Sequence, residues 1–214
     1  MRKSDCRFCN IIHEHEAPFG EVDIPFLYNK DYSSLISIGS FIDGWSLIVP
    51  TEHSYNMRLH YQKDMFFFYL QQHMDVLKNQ QYLDGADYIA FEHGANRCGS
   101  LTSCGTNHAH LHVIPTKIDI IDSIQKDRVW NTCKWTDVAD KVKDHEYLLY
   151  CNEPQEKESA RILFHIVEQP ESQYFRRKLN EALCDSGNYD YKEEPRLDYS
   201  VDIRRRIGDA ICLL

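Results

Sequence analysis

The chain lacks any apolar run approaching the roughly 20 residues a transmembrane helix needs, so a bilayer-spanning helix is not expected. Its opening, M-R-K-S-D-C-R, has no hydrophobic stretch of the kind a secretory signal carries, and the expectation is a cytoplasmic protein. A basic excess is missing too. Lys and Arg number 24 against 33 Asp and Glu, a formal charge of -9, which argues against general affinity for a nucleic-acid backbone. A small phosphorylated ligand is compatible with that charge, because histidines, backbone N–H groups and one or two arginines can form a local positive site. Internal repeats and low-complexity tracts are also absent, which speaks against a dangling tail.

At 214 residues the chain can bury one sizeable core, or one core with a smaller appendage. Eight cysteines in an intracellular chain of this size read as thiols and metal ligands rather than a disulfide framework. Only Cys6 and Cys9 have ligand spacing; Cys98, Cys104, Cys133, Cys151, Cys184 and Cys212 are scattered.

The densest signal is N-H-A-H-L-H-V-I-P, from Asn107 to Pro115. A β-strand sends successive side chains to opposite faces, so His108, His110 and His112 would line one face while Ala109, Leu111 and Val113 feed a core. A single histidine there would read as a solvated strand face. Three in strict alternation beside an apolar face point to a metal site or to a supported nucleophile.

Two further motifs accompany it. Upstream stands G-W-S-L-I-V-P-T-E-H, Gly44 to His53, and before that C-R-F-C-N-I-I, Cys6 to Ile12. In this order the three resemble the signature of the histidine triad (HIT) family, whose members carry H-φ-H-φ-H-φ-φ, a G-H-x-L-V-I-P-x-x-H strand and turn and, in zinc-containing members, C-x-F-C-x-I-I. The resemblance covers Cys6 to Pro115 and thins beyond it. It implies an α+β, HIT-like fold: an antiparallel meander sheet covered by a long helix over residues 1–117, with a mixed α/β C-terminal extension, 118–214, packed on that core.

The same resemblance implies chemistry. His110 falls on the nucleophile that takes a nucleotidyl group from an α-phosphate and holds it as a phosphoramidate until water or another acceptor completes the transfer. His112 contacts the phosphate and balances charge in the transition state. Nucleotidyltransferase and phosphorylase branches typically carry glutamine there, so His112 leans the expectation towards a nucleotide hydrolase acting on a phosphoanhydride, phosphoramidate or dinucleoside polyphosphate. The alternatives are a transferase or phosphorylase, or a zinc-stabilised nucleotide-binding module without turnover. Cys6, Cys9, His53 and His108 match the ligands of a structural Zn2+, and two thiolates with two imidazoles suit a closed tetrahedral site. By position, Ile11, Phe26 and Ile38 would hold the nucleobase, although each would serve equally as plain core. The expected partner is a small nucleotide, without nucleic acid or membrane; a homodimer stays open.

Three departures from the family pattern stand out. Trp45 replaces the usual histidine after Gly44. Ser37 stands where an aspartate commonly binds the ribose hydroxyls. S-C-G-T-N, Ser103 to Asn107, replaces the G-Q-S-V run, leaving Ser103, Thr106, Asn107 or a backbone N–H as candidate donors to the substrate.

Elsewhere the pattern predicts a short helix ending before Pro18 and β-runs over Pro25–Tyr28, Ser34–Ile38 and Trp45–Val49. H-E-H-E, His13 to Glu16, reads as a solvated helix face. A helix over Gln62–Tyr82 carries Phe66, Tyr69, Leu70, His73 and Leu77 on one stripe, with His73 at its edge. A strand over Asp87–Gly94 leads to a glycine-bearing loop, Ala95 to Thr106, whose N–H and O–H donors suit phosphate. Ala160–Val167 reads as a strand and Ser172–Cys184 as a helix. Within the latter, Q-Y-F-R-R-K-L resembles the tail of larger HIT-like proteins and carries no expected catalytic content.

Overall fold

The computed structural model describes residues 6–80, 83, 85–184, 187–208 and 211–212. The segment M-R-K-S-D and the last two residues of the expected long helix, Gln81 and Tyr82, lie outside the described residues. In chain order the elements are α1 (Arg7–His13), β1 (Leu27–Tyr28), β2 (Tyr32–Ile36), β3 (Ser46–Pro50), α2 (Asp64–Lys78), β4 (Tyr88–Gly94) and β5 (Leu111–Pro115). They continue with α3 (Ile121–Asp127), β6 (Asn131–Cys133), α4 (Val138–Val142), β7 (Tyr147–Asn152), β8 (Ile162–Ile166), α5 (Tyr174–Ala182), α6 (Leu197–Ile207) and β9 (Ile211–Cys212).

Among the described residues the strands form one sheet, ordered β6-β8-β7-β4-β5-β3-β2-β1-β9. Neighbours run antiparallel except β1 and β9. The fold is therefore α+β on an antiparallel sheet with the meander β1-β2-β3, as the turn residues Asn29, Lys30 and Asp31 between apolar runs predict. The segment after residue 118 adds three strands beyond β4, with Ile89 opposite Asn152 and Gly94 opposite Tyr147 in the β4–β7 pair, and β9 at the opposite edge beside β1. An uncovered β4 edge would leave a row of backbone N–H and C=O groups unpaired, and β7 satisfies them.

The two faces of the sheet differ. On one, the stripe of α2 packs Phe66, Tyr69, Leu70 and Leu77 against Ile36, Ile48, Ala90, Leu111 and Val113 in the largest core. His73 is a correction to the expected pattern. It is fully buried rather than at the edge of the stripe, with Ser34 Oγ at 2.7 Å from Nδ1 and Ser46 Oγ at 2.8 Å from Nε2. Two hydroxyls satisfy both ring nitrogens, which is what lets an imidazole sit in a core. Burial holds it neutral, with its pKa pushed down to about 3.

The other face carries two smaller cores. One joins α1 to β2 and β3 through Phe8, Cys9, Ile11, Leu35, Leu47 and Val49. The second joins α3 and α5 to β4, β7 and β8 through Ile124, Phe175, Leu179, Phe91, Leu148 and Leu163. Between these patches His112 of β5 faces outward, opposite Leu47 on one side and Phe91 on the other. Among the described residues no helix is long and apolar enough to cross a membrane.

Candidate functional site

The triad does not form a single strand as its alternation predicts. β5 begins at Leu111, so of the three histidines only His112 is in the ladder, while His108 sits at a bend and His110 in irregular backbone just before the strand. The Ala109 N–H bonds instead to Ser54 O at 2.7 Å, which ties this approach to the turn after β3. The turn also carries His53.

That tie brings one end of the triad to α1. Cys6 Sγ lies 3.4 Å from His108 Nδ1, Cys9 Sγ 3.2 Å from His53 Nδ1 and 3.6 Å from His108 Nδ1. The four donor atoms all fall within 4.8 Å of one another. Tetrahedral zinc with bonds of about 2.3 Å to sulfur and about 2.0 Å to nitrogen places neighbouring S and N donors roughly 3.5 Å apart, so the spacing fits. His108 Nε2–H donates to Pro50 O at 2.8 Å, which turns the Nδ1 lone pair inward as an outer-shell partner does for a metal ligand. These four residues could hold a metal ion. Free thiols with no disulfide among the described cysteines agree with that use.

The other two histidines line a chamber of about 40 Å³ in the gap between the two smaller cores. Its walls include Phe8 and Leu47 on the α1 side, Ile38, and His93 and Arg176 on the α5 side. It adjoins an outer cleft of about 370 Å³ where Phe19, Thr106, Asn107, Tyr191 and Lys192 stand. None of the residues lining either space is acidic, in a chain whose formal charge is -9.

Hydrogen bonds assign the tautomers. His110 Nδ1 lies 2.9 Å from His108 O, and a carbonyl only accepts, so Nδ1 carries the proton and Nε2 keeps its lone pair. His112 Nδ1 accepts from Trp45 Nε1–H at 2.9 Å, and an indole only donates, so in the neutral ring the proton is on Nε2. The two rings lie 5.0 Å apart. Burial lowers both pKa values, with Arg176 adding to the effect, and holds the rings neutral.

Of the expected nucleobase residues, only Ile38 lines these spaces. Ile11 belongs to the α1 core, and Phe26 is fully buried in the α2 core, 5.2 Å from His73. Among the candidate donors, Thr106 lines both spaces and Asn107 the outer one. The Ser103 hydroxyl is turned inward onto Ser100 O at 2.8 Å.

Sequence reasoning missed Arg176 and His93. Arg176 stands in the run expected to carry no catalytic content, and it lines the chamber beside both histidines. It donates to Gly39 O and Ser37 Oγ at 2.7 Å each and to Ile38 O at 2.8 Å, above the Trp45 ring at 4.4 Å. Ser37 therefore holds an arginine here. Gly39 is needed at this contact because its φ is +68°, in the left-handed region, and a Cβ would come within 2.4 Å of Tyr191 Cβ. The only sequence signals were the paired arginines of Q-Y-F-R-R-K-L and a histidine preceding Gly94.

The chain is similar to two solved histidine-triad structures. One is a hypothetical histidine triad nucleotide-binding protein from Sulfolobus tokodaii strain7, at 19% identity over 53% of this chain and 71% of that one, with a TM-score of 0.36. Another is a Hit-like protein involved in cell-cycle regulation from Bartonella henselae, at 16% identity over 63% of this chain and 91% of that one, with a TM-score of 0.35. No family model and no curated protein matches the chain.

Proposed function

We propose that the protein is a nucleotide hydrolase of histidine-triad type, with His110 as nucleophile and a structural zinc held by Cys6, Cys9, His53 and His108. The observation that carries this reading is the pair of opposite tautomers: a bare Nε2 on His110 beside an N–H donor on His112. In the first step the His110 Nε2 lone pair forms a bond to the α-phosphorus as the P–O bond to the leaving group breaks. The leaving oxygen departs with the electron pair, and Nδ1–H stays on His108 O, which stabilises the positive charge the ring acquires. Water then attacks phosphorus and loses a proton to solvent, the N–P bond breaks, and His110 recovers its neutral form as the nucleoside monophosphate leaves.

His112 acts as a fixed donor to a non-bridging oxygen rather than as a general acid. With Trp45 donating to Nδ1, loss of the Nε2 proton would leave an imidazolate, which is far out of reach at neutral pH. A leaving group stable as an anion therefore suits the site, and phosphoanhydrides such as dinucleoside polyphosphates meet that condition. Zinc has no step to perform in this scheme; closing the donor set fixes α1 and the approach to β5.

The test is to quench turnover of a dinucleoside polyphosphate labelled at the α-phosphorus and recover the protein. Label bound in an acid-labile, base-stable linkage, absent in His110→Ala, is expected. Turnover by His110→Ala within a few fold of wild type would remove the nucleophile from this residue. Product analysis with and without added phosphate separates hydrolysis from phosphorolysis.

A further inference from the structure

Arg176 is an unusual buried charge. It is 5% exposed, and among the described residues no carboxylate lies within ion-pair distance of it. Burial lowers its pKa to about 10, which still leaves it protonated at neutral pH. A desolvated guanidinium is normally matched by an anion. Here its hydrogen-bond partners are two carbonyls and a hydroxyl, all neutral, and the rings of Trp45 and Tyr191 stand at 4.4 Å and 5.3 Å from the guanidinium carbon. Those three bonds use three of the five guanidinium N–H groups, so two are left over on a side chain that lines the chamber.

A second buried group points the same way. His93 is 5% exposed, lines the same chamber, and neither of its ring nitrogens has a hydrogen-bond partner. Its ring is held between Phe91 and Phe175 at 5.6 Å and 5.2 Å. In either neutral tautomer it presents one N–H. An unpaired cation, an unpaired imidazole and the His112 N–H thus surround a space of about 40 Å³ that holds no acidic side chain. Such a narrow space beside the outer cleft suits a phosphoryl group.

We propose that Arg176 is a catalytic residue supplied by the C-terminal segment, binding with His93 the non-bridging oxygens of the phosphoryl group that His110 attacks. The proposal rests on the hydrolase reading above and extends it. Two of the departures from the triad pattern follow from it: Trp45 is the platform under the guanidinium, and Ser37 is one of its acceptors. Both are exchanged for residues that seat an arginine. A planar fork held from behind by three bonds is preorganised for the charge that spreads over the equatorial oxygens in phosphoryl transfer.

The first experiment uses inorganic phosphate and the intact wild-type protein. The Arg176 Nε–H resonance, assigned by its loss in Arg176→Lys, should move on titration with phosphate, and Arg176→Gln should weaken phosphate binding about tenfold or more. The second reads turnover. Arg176→Gln should lower kcat about a hundredfold or more with KM changed only a few fold, and Arg176→Lys should recover a small part of it. A merely structural arginine would lower the melting temperature without moving with phosphate. An Arg176 resonance that stays still up to tens of millimolar phosphate overturns the proposal, and that measurement does not depend on any variant folding. If His110→Ala is inactive while folded Arg176→Gln keeps kcat within threefold, the proposal falls and the hydrolase reading stands. If His110→Ala stays active, the hydrolase reading falls, and with it the assignment of Arg176 to the phosphoryl group.

Discussion

The two sites that share the triad are built on opposite principles. At His108 the donors converge on each other: two thiols and two imidazoles with S-to-N separations of 3.2 to 3.6 Å close a space that only an ion fits. At His110 and His112 the polar groups line a shared chamber, and among the described residues Arg176 has no ion-pair partner and His93 no hydrogen-bond partner. A closed donor set is complete in itself once filled and contributes to folding. An open set with a buried cation keeps its unsatisfied capacity for a ligand. His108 and His110, two residues apart, thus belong to different arrangements, a convergent donor set and an open chamber.

That contrast breaks most sharply at the nucleophile. His110→Ala should lower kcat by at least about a thousandfold while the melting temperature stays within a few degrees of wild type, because a nucleophile acts on the transition state. Loss of fold in this variant, seen by circular dichroism, would place His110 on the structural side of the divide.

The next effect lies in stability rather than rate. Purified protein should hold about one zinc per chain, and Cys9→Ser or prolonged chelation should lower the melting temperature by about 10 °C or more, given a structural site worth several kcal/mol. Unchanged melting of metal-free protein would end the description of the His108 end as a closed centre.

A third test uses β4, where neighbouring residues face the two sides of the sheet. His93 is unpaired on the chamber side. Glu92, fully buried on the α2 side, accepts from Met57 N–H at 2.6 Å and from the Tyr61 and Tyr147 hydroxyls at 2.7 Å each. Burial raises its pKa from 4.5 to about 7 despite those donors. A carboxyl whose folded pKa is raised stabilises the fold fully below the unfolded value and loses that contribution as pH rises through the folded one. Stability of wild type relative to Glu92→Gln should therefore fall by an amount on the order of 3 kcal/mol between about pH 4.5 and 7. The comparison between the two proteins is essential, since buried His60, His73 and His93 have lowered values and pull the opposite way in mild acid. A flat difference across that window in denaturant titrations would show Glu92 ionised throughout.

The smallest effect sharpens the reactive site alone. Trp45→Phe keeps a ring under Arg176 and removes the N–H that holds His112 Nδ1. One neutral hydrogen bond corresponds to about a 3- to 10-fold loss in kcat/KM, with melting little changed. No loss would mean that the His112 tautomer is set by the bound phosphate.

The sequence by itself determined the parts that repeat or space regularly: the α2 stripe, the β1-β2-β3 meander, the paired cysteines and the alternation of His108, His110 and His112. Period and short spacing decide which side chains share a face or a turn, and both are local properties of the chain. They carry no information about what covers that face. Only the tertiary structure placed Ile11 and Phe26 away from the chamber and Ile38 on its wall, although all three are apolar residues in the N-terminal part of the chain. Only it brought Arg176 to Ser37, 139 residues away, because α5 packs Phe175 and Leu179 against Phe91 and Leu163 and so carries the adjacent guanidinium over Trp45. A charge at that distance leaves no periodic trace. It becomes legible once packing has stripped it of water and left it without an anion.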